Sequence, residues 1–383
     1  MVDMFRGTAN QIEQKIGDNK KKIILTQNKR YHIEVNPEKG VRWLIFGDAG
    51  KGKSWLLATI FMQLNNGIVF DPSNGGLLNT IKKMCKLYRL NYWRVMKDFD
   101  VLVLEKGNNR NRFRINVCDI APECVDLIFP YSTGGSSNKN KQRNALTDFF
   151  SKKQEKTYAG LKELCVKHHI EHVLHDLDYI LDKKDKAPSL ESYCYGKKIV
   201  DIQSLSVRSF SLGVFIKSLM VLRSKWTNKK RLNINNMLYL LFDEAQRYAK
   251  LKTAVGESLA SINREARKFG IGSILCGSSY RKLEPDIRAS WNMVFAYYCK
   301  VITSKLRSEA IDINEDEWDY LPENHCYVLD SEANKFKGAV GKDFFMADDF
   351  FWVIKKRRAM SKEIVSNSKP VFPVRRLLVQ KTH

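Results

Sequence analysis

The sequence predicts an α/β fold with a mostly parallel sheet, and three observations support that prediction. Seven short apolar runs look like strands, and helical-period segments separate most of them. Several runs are apolar at consecutive positions, as in strands covered on both faces. A glycine-rich turn joins the first run directly to a helical segment. The runs are 43–46, 67–70, 101–104, 199–202, 238–242, 272–276 and 293–298.

The composition excludes some protein classes and indicates a partner. The chain has 383 residues, of which 44% are hydrophobic, so disordered and fibrous classes are excluded. Lysine and arginine number 65 against 42 acidic residues, which gives a formal net charge of +23. We therefore expect a polyanionic partner, with nucleic acid first and an anionic membrane surface second.

The apolar segments and the cysteines indicate the cellular compartment. No uncharged apolar run approaches the roughly 20 residues that a membrane-spanning helix needs. The first residues lack the apolar stretch of a secretory signal, and the eight cysteines form no C-x-x-C pair. We expect a cytoplasmic protein without a transmembrane segment or a disulfide framework. Association with a virion or with a membrane machine is compatible with this expectation.

Three parts of the chain differ in composition. Residues 1–35 are polar and basic, and we expect an N-terminal arm there. Residues 36–350 are expected to form the α/β domain, with a helical insertion at about 144–193 that follows a polar linker at 131–143. Residues 351–383 are expected to form a basic C-terminal tail, since charge runs are usually solvated.

The strongest motif is a phosphate-binding loop. The segment 47–54 fits G-x-x-x-x-G-K-[ST], directly after an apolar strand and directly before a helix. Its glycines let the backbone N–H groups and the positive end of the helix point at phosphate oxygens. Lys53 would reach the β- and γ-phosphates of ATP, and the Ser54 hydroxyl would ligate Mg²⁺. The expected nucleotide-binding residues are Gly47, Asp48, Ala49, Gly50, Lys51, Gly52, Lys53, Ser54 and Trp55.

Two acids follow the apolar run 238–242. This run predicts a strand buried on both faces, and ligands of doubly wound sheets bind at the carboxyl ends of such strands. Asp243 would hold Mg²⁺ through its water shell, and Glu244 would polarise the attacking water. Two acids at a strand end can also cap a helix, but the phosphate loop in the same chain favours the metal and catalytic roles.

Further segments occur in a recognisable order after the phosphate loop. They are 67–72 (GIVFDP), 114–116 (RIN), 199–205 (IVDIQSL), 243–246 (DEAQ) and 264–272 (REARKFGIG). This series resembles the HerA/FtsK superfamily of ring-shaped, DNA-pumping ATPases, which includes conjugative secretion ATPases and viral packaging ATPases. The last segment discriminates best, because few other phosphate-loop groups have it. The resemblance covers about residues 40–300.

The resemblance implies a RecA-like phosphate-loop core that assembles as a ring, usually a hexamer. It implies ATP-driven movement of double-stranded DNA, either into a viral capsid or through a conjugation channel, so a capsid or channel protein is a possible docking partner. An alternative is an assembly or secretion module at a membrane machine, in which nucleotide binding orders the fold without DNA pumping. A kinase or GTPase is less well supported, because the chain has no guanine-selecting Asn-Lys-x-Asp.

The sensor segment departs from the family. After the strand 274–276 the family commonly places Thr-Gln to sense the γ-phosphate, whereas this chain has Gly277, Ser278 and Ser279. A serine hydroxyl can donate to phosphate or water over a shorter reach. Ser278 is therefore the candidate sensor.

Arginines are the candidates for stabilising the transferred phosphoryl group, often from a neighbouring subunit. Arg264 and Arg267 are three residues apart on one face of a predicted helix and are the first candidates. Arg281 and Arg288 are alternatives. For each of the four, a surface or phosphate-steering role is as well supported as a catalytic one.

A histidine-rich segment was weighed as a zinc site. Cys165, His168, His172 and His175 would share one face of a continuous helix. On a straight helix they would extend over about 15 Å, which is too far for one tetrahedral ion. A polar helix face in the insertion is the favoured interpretation.

Overall fold

The computed structural model describes most of the α/β domain and a short N-terminal part. The described residues are 21–24, 32–35, 40–73, 75–87, 89–105, 111–128, 137–152, 156–202, 208–228, 236–247, 253–278, 283, 286–287, 290–298 and 326–330. The predicted basic tail, Arg281 and Arg288 lie outside them.

An eight-stranded sheet forms the centre of the protein. Its strands run in the order β10-β9-β3-β8-β7-β4-β6-β5, and the seven from β9 to β5 are parallel. All seven predicted runs are strands of this sheet. The unpredicted strand β10 pairs antiparallel with β9. The strands are β3 (Arg42–Phe46), β4 (Gly67–Asp71), β5 (Phe99–Val103), β6 (Lys197–Asp201), β7 (Leu238–Phe242), β8 (Ile271–Gly277), β9 (Met293–Tyr297) and β10 (Cys326–Asp330).

Helices cover both faces of the sheet. Successive side chains of β3 point to opposite faces, so that Leu44 and Phe46 join one buried core while Trp43 and Ile45 join the other. Helices α1 to α3 pack on the second core, and α4 to α9 lie on the first. The helices are α1 (Lys53–Gln63), α2 (Gly76–Leu87), α3 (Tyr92–Met96), α4 (Val125–Ile128), α5 (Ser137–Ser151), α6 (Tyr158–Lys167), α7 (Glu171–Leu177), α8 (Arg208–Asn228) and α9 (Ala254–Phe269).

The chain between β5 and β6 is helical and shares the core of the sheet. Leu146, Phe150 and Leu161 are buried in the same cluster as Phe70 of β4. Helix α5 begins at Ser137, within the stretch expected to be a polar linker. The reason is tertiary, because Gln142 donates to the carbonyl of His168 at 2.9 Å and Arg143 pairs with Asp126.

The N-terminal part contains an antiparallel ribbon of β1 (Lys21–Ile24) and β2 (His32–Val35). Ile23 is buried in the core on the α1 side. Part of the expected arm therefore has regular structure and contacts the domain. The described residues contain no helix that is both long and apolar enough to cross a bilayer.

A buried arginine joins three elements at the amino-terminal edge of the sheet. Arg223 of α8 is fully buried and donates to the carbonyls of Phe269, Gly270 and Asn236 at 3.0, 2.9 and 2.7 Å. The first two carbonyls terminate α9, and Gly270 there has a φ of 58°. Arg223 thus satisfies the end of α9 and orders the entry into β8. We call these four residues the arginine joint.

Candidate functional site

The phosphate loop lies at the carboxyl end of β3 and is anchored to β9. The N–H of Asp48 donates to the carbonyl of Tyr298 at 3.0 Å. A Cβ on Gly47 would lie 2.5 Å from the Cβ of Tyr297, and the φ of Gly47 is 149°. Only glycine satisfies both conditions, because a side chain would clash with β9 and strain the backbone. The sequence pattern thus requires the glycine for contact with β9 as well as for the turn.

The loop continues into the N-terminus of α1. Gly50 and Gly52 have φ values of 79° and 100°. The ammonium of Lys53 is buried and donates to the carbonyl of Asp48 at 2.8 Å, which holds it over the loop. The side chain of Trp55 packs against the α1-side core, so only its main-chain N–H can serve the predicted nucleotide role.

Ser54 and Asp243 meet across the site. The Ser54 hydroxyl donates to a carboxylate oxygen of Asp243 at 3.4 Å, although 189 residues separate them in sequence. Parallel pairing of β7 with β8, and of β8 with β3, brings the two strand ends to one edge. A hydroxyl and a carboxylate are oxygen ligands that suit Mg²⁺, which usually keeps several waters and binds substrate phosphate as well.

Asp243 lies where ionisation of its carboxyl is unfavourable. Burial, followed by the charge of Asp71 at the end of β4, raises the pKa of Asp243 to about 6. A hydrogen bond from the Cys276 thiol acts in the opposite direction, and burial raises the pKa of that thiol well above its usual value. A divalent cation would favour the charged form of Asp243. The surroundings of Asp243 therefore disfavour its ionised form.

Glu244 occupies a backbone conformation that is uncommon for a non-glycine residue. Its φ is 48°, and its N–H donates to the carboxylate of Asp243 at 3.0 Å. The N–H of Arg247 donates to the carbonyl of Glu244 at 2.8 Å and begins a short 3₁₀ turn. The turn redirects the chain at the end of β7 and leaves the half-buried Glu244 beside Asp243. Such conformations persist where the surroundings fix them, which is common at functional sites.

Gln246 connects this acid to the candidate sensor. Its amide nitrogen donates to the carboxylate of Glu244 and to the hydroxyl of Ser278, the latter at 3.0 Å. Its amide oxygen accepts from the N–H of Ser278 at 3.2 Å. Gln246 itself is buried, whereas Ser278 is exposed. The structure thus brings Glu244 and Ser278 together through a residue that the sequence did not single out.

Two site residues were missed by sequence reasoning. Gln246 had a signal, because it occupies the fourth position of the DEAQ segment, two residues after Glu244. Asp71 had one as well, because it ends an apolar strand and precedes Pro72. The carboxylate of Asp71 accepts from the N–H groups of Ser73 and Leu77, at 2.9 and 2.8 Å. Asp71 therefore orders the start of α2 while it raises the pKa of Asp243.

Arg264, the candidate arginine whose side chain the structure describes, is not brought to this site within the chain. Arg264 is near the C-terminal end of α9, next to Asn263, whose carbonyl accepts from Arg42 at the start of β3. It thus lies at the edge opposite the phosphate loop, where it pairs with Asp286 at 3.3 Å and is largely exposed. Arg267 lies in the same helix. A catalytic role of Arg264 would have to be in a neighbouring subunit.

The histidine-rich segment does not form one helix. Helix α6 ends at Lys167 and α7 begins at Glu171, and His169 between them has a φ of 56°. Cys165 is buried in the core. Within the described part of the chain, no group of three or more His, Cys, Asp or Glu side chains is placed to hold a metal ion. The favoured interpretation of a polar helix face applies to two short helices.

Sequence comparisons identify no relative of this chain. No protein-family model matches it, and no curated protein matches it.

Solved structures do resemble it in fold. The plasmid coupling protein TrwB, in complex with the non-hydrolysable GTP analogue GDPNP, superimposes with a TM-score of 0.51 at 14% identity over 81% of this chain and 86% of TrwB. VirB4 of Thermoanaerobacter pseudethanolicus gives 0.49 at 15% identity over 80% and 93%. The genome packaging NTPase B204 of Sulfolobus turreted icosahedral virus 2 gives 0.35 at 14% over 79% and 97%. The chain therefore has a RecA-like phosphate-loop fold, which the sequence resemblance implied.

Proposed function

We propose that this chain is a Mg²⁺-dependent ATPase that assembles as a ring and moves double-stranded DNA. The observation that carries the proposal is the 3.4 Å contact between Ser54 and Asp243, with Glu244 next to it at the same edge as the phosphate loop. This arrangement supplies a phosphate cradle, two oxygen ligands for a cation and a carboxylate for water.

Each group has a defined task in hydrolysis. The N–H groups of the loop and of the first turn of α1 bind the phosphate oxygens, and Lys53 exchanges its bond to the Asp48 carbonyl for the β- and γ-phosphates. Ser54 and Asp243 would hold Mg²⁺, which would neutralise charge on the phosphates when bound. Glu244 accepts a proton from the water that attacks the γ-phosphorus, while the bond from this phosphorus to the β-phosphate oxygen breaks and ADP leaves. The strained turn at Glu244 fixes its carboxylate for this step.

The charge of the protein supports DNA as the substrate. A net charge of +23 favours a polyanion, and contacts to the phosphate backbone are independent of base sequence. Among the similar folds is a plasmid coupling protein. Moving DNA in viral packaging or in plasmid conjugation is therefore the function that we propose, with a capsid or channel protein as the docking partner.

The position of Arg264 supports assembly. Its exposed guanidinium lies at the edge of the sheet away from its own phosphate loop, so that a role in hydrolysis would be exerted on the nucleotide of another copy. A ring, of which a hexamer is the expected size, would bring such a residue to the ATP of the next subunit. In the same assembly, DNA would occupy the central channel.

The test is ATP hydrolysis by the purified protein with and without long double-stranded DNA, while light scattering follows the particle mass. Lys53→Ala and Glu244→Gln are measured beside it, with Lys83→Ala, at an exposed position of α2, as the matched control. We expect stimulation by DNA, loss of hydrolysis in the two site variants and a ring-sized particle.

A different result would favour the second candidate function. A monomer that binds ATP but hydrolyses it no faster with DNA would contradict the motor. The phosphate loop would still explain the binding of ATP, so that result would support a nucleotide-gated assembly module at a secretion or membrane machine.

A further inference from the structure

The buried side chain of Gln246 contacts residues that follow two neighbouring strands, Glu244 after β7 and Ser278 after β8. Gln246 starts the 3₁₀ turn after β7 together with Ala245, and its side chain crosses to the end of β8. Three hydrogen bonds fix it: one to the carboxylate of Glu244, one to the hydroxyl of Ser278 and one from the N–H of Ser278. An amide has two N–H donors, and both are used here. Its rotation would break every one of these contacts.

The end of β8 is shaped to receive this amide. A Cβ on Gly277 would overlap the amide oxygen of Gln246 and lie 3.3 Å from its amide carbon. The backbone of Gly277 is not in the left-handed region, so its φ does not require glycine. Glycine is needed at this position because Gln246 occupies the space that a side chain would fill.

We propose that Gln246 is the positioning residue for Glu244, and that it connects Glu244 to Ser278 through the space beside Gly277. The amide of Gln246 holds the carboxylate of Glu244 in place. Because the same amide also bonds to Ser278, the position of that carboxylate depends on the position of Ser278. The inference rests on the proposed function, because it presumes that Glu244 acts on water. The positioning role of Gln246 affects the catalytic step and leaves nucleotide binding intact, which distinguishes it from a purely structural role.

The first experiment separates the catalytic step from binding. Gln246→Ala should lower kcat about ten- to hundredfold, as expected for a lost hydrogen bond to a charged group, while KM and nucleotide affinity change less than about twofold. The melting temperature reports whether the variant is folded. Ser278→Ala removes only the hydroxyl and leaves its N–H, so its kcat should fall less than that of Gln246→Ala.

A double-mutant cycle tests the contact without relying on one variant. Gly277→Ala should displace Gln246 and lower kcat to the level of Gln246→Ala. In the Gln246→Ala background the added Cβ has its next neighbour, the N–H nitrogen of Ala245, at 3.7 Å, which is ordinary contact. Gly277→Ala should then have almost no further effect, so the two changes should be strongly non-additive.

The outcomes distinguish the inference from the proposed function. If Lys53→Ala and Glu244→Gln lose hydrolysis while Gln246→Ala keeps the wild-type kcat, the positioning role is wrong and the ATPase stands. An increase in kcat, equal losses in kcat and affinity, or additive effects in the cycle would also overturn it. If neither Lys53→Ala nor Glu244→Gln loses hydrolysis, the proposed function itself fails.

Discussion

The two edges of the sheet both bury charged side chains but satisfy them differently. At the carboxyl edge, Asp243 and Asp71 lie close together, and burial with this like charge raises the pKa of Asp243 to about 6. At the amino edge, the guanidinium of Arg223 is fully buried and donates to three main-chain carbonyls at 2.7 to 3.0 Å. Its ring contact with Trp226, 4.8 Å from the guanidinium carbon, adds a cation–π interaction.

The difference separates chemistry from stability. Two like charges weaken each other's ionised forms, and an incoming cation relieves that cost. The Arg223 guanidinium, by contrast, has three of its hydrogen bonds supplied by main-chain carbonyls of the fold itself. We therefore expect substitutions at the carboxyl edge to remove activity without loss of stability, and substitutions at the arginine joint to do the reverse.

Asp243→Asn should reduce ATP hydrolysis about a hundredfold or more, because the amide gives the cation no negative charge. The initial rate at saturating Mg²⁺ and ATP measures this effect. Asp148→Asn, at an exposed position of α5, is the matched control and should keep the wild-type rate. Wild-type hydrolysis by Asp243→Asn would remove the distinction between the two edges.

Arg223→Met should destabilise the protein by about 2–4 kcal/mol, since three carbonyls lose a charged donor in a buried place. Urea unfolding measures the free energy of unfolding. The hydrolysis rate per folded molecule should stay within about twofold of the wild type. Arg223→Lys keeps the charge but not the planar set of N–H donors. Its free energy of unfolding should lie between those of the wild type and Arg223→Met. A variant that is as stable as wild type would show that the joint is not needed.

Gly272→Ala tests whether close packing next to the arginine joint also contributes to stability. The added Cβ would lie 2.9 Å from both the ring of Tyr239 and the Cβ of Val41, so the free energy of unfolding should fall by about 1–3 kcal/mol. Gly67→Ala is the milder control, because its Cβ would lie 3.3 Å from the ring of Phe61. Equal costs for the two variants, measured by thermal unfolding, would contradict the close approach at Gly272.

The pH dependence of stability should reveal Asp243 without any substrate. Its pKa in the folded state, about 6, is above the ordinary value of 3.8, so its ionisation opposes folding once the pH exceeds about 4 and does so fully above pH 6. The cost disappears below about pH 3, where the carboxyl is protonated in both states. Asp243→Asn should thus be more stable than wild type by about 3 kcal/mol at pH 8, and by almost nothing at pH 3. Urea unfolding at both pH values measures this, and a pH-independent difference would exclude the assignment.

The strands and the phosphate loop could be predicted from the sequence because their signals are local. Consecutive apolar residues in 238–242 and the glycine pattern of 47–54 each define a short stretch of backbone. Strand β10 was missed, and its antiparallel pairing with β9 joins residues 29 positions apart or more. The start of α5 at Ser137 was missed too, since polar residues there gain partners on other helices.

At the candidate site, residue types followed from the sequence, but the pairings between strands did not. The sequence indicated a phosphate cradle, Ser54 and the acids Asp243 and Glu244, because each motif lies within eight residues or fewer. The contacts of Gln246 with Ser278, and the effect of Asp71 on the pKa of Asp243, link different strands. Strand order places these side chains together, and that order is set by burial across the whole sheet, a quantity that no local pattern contains.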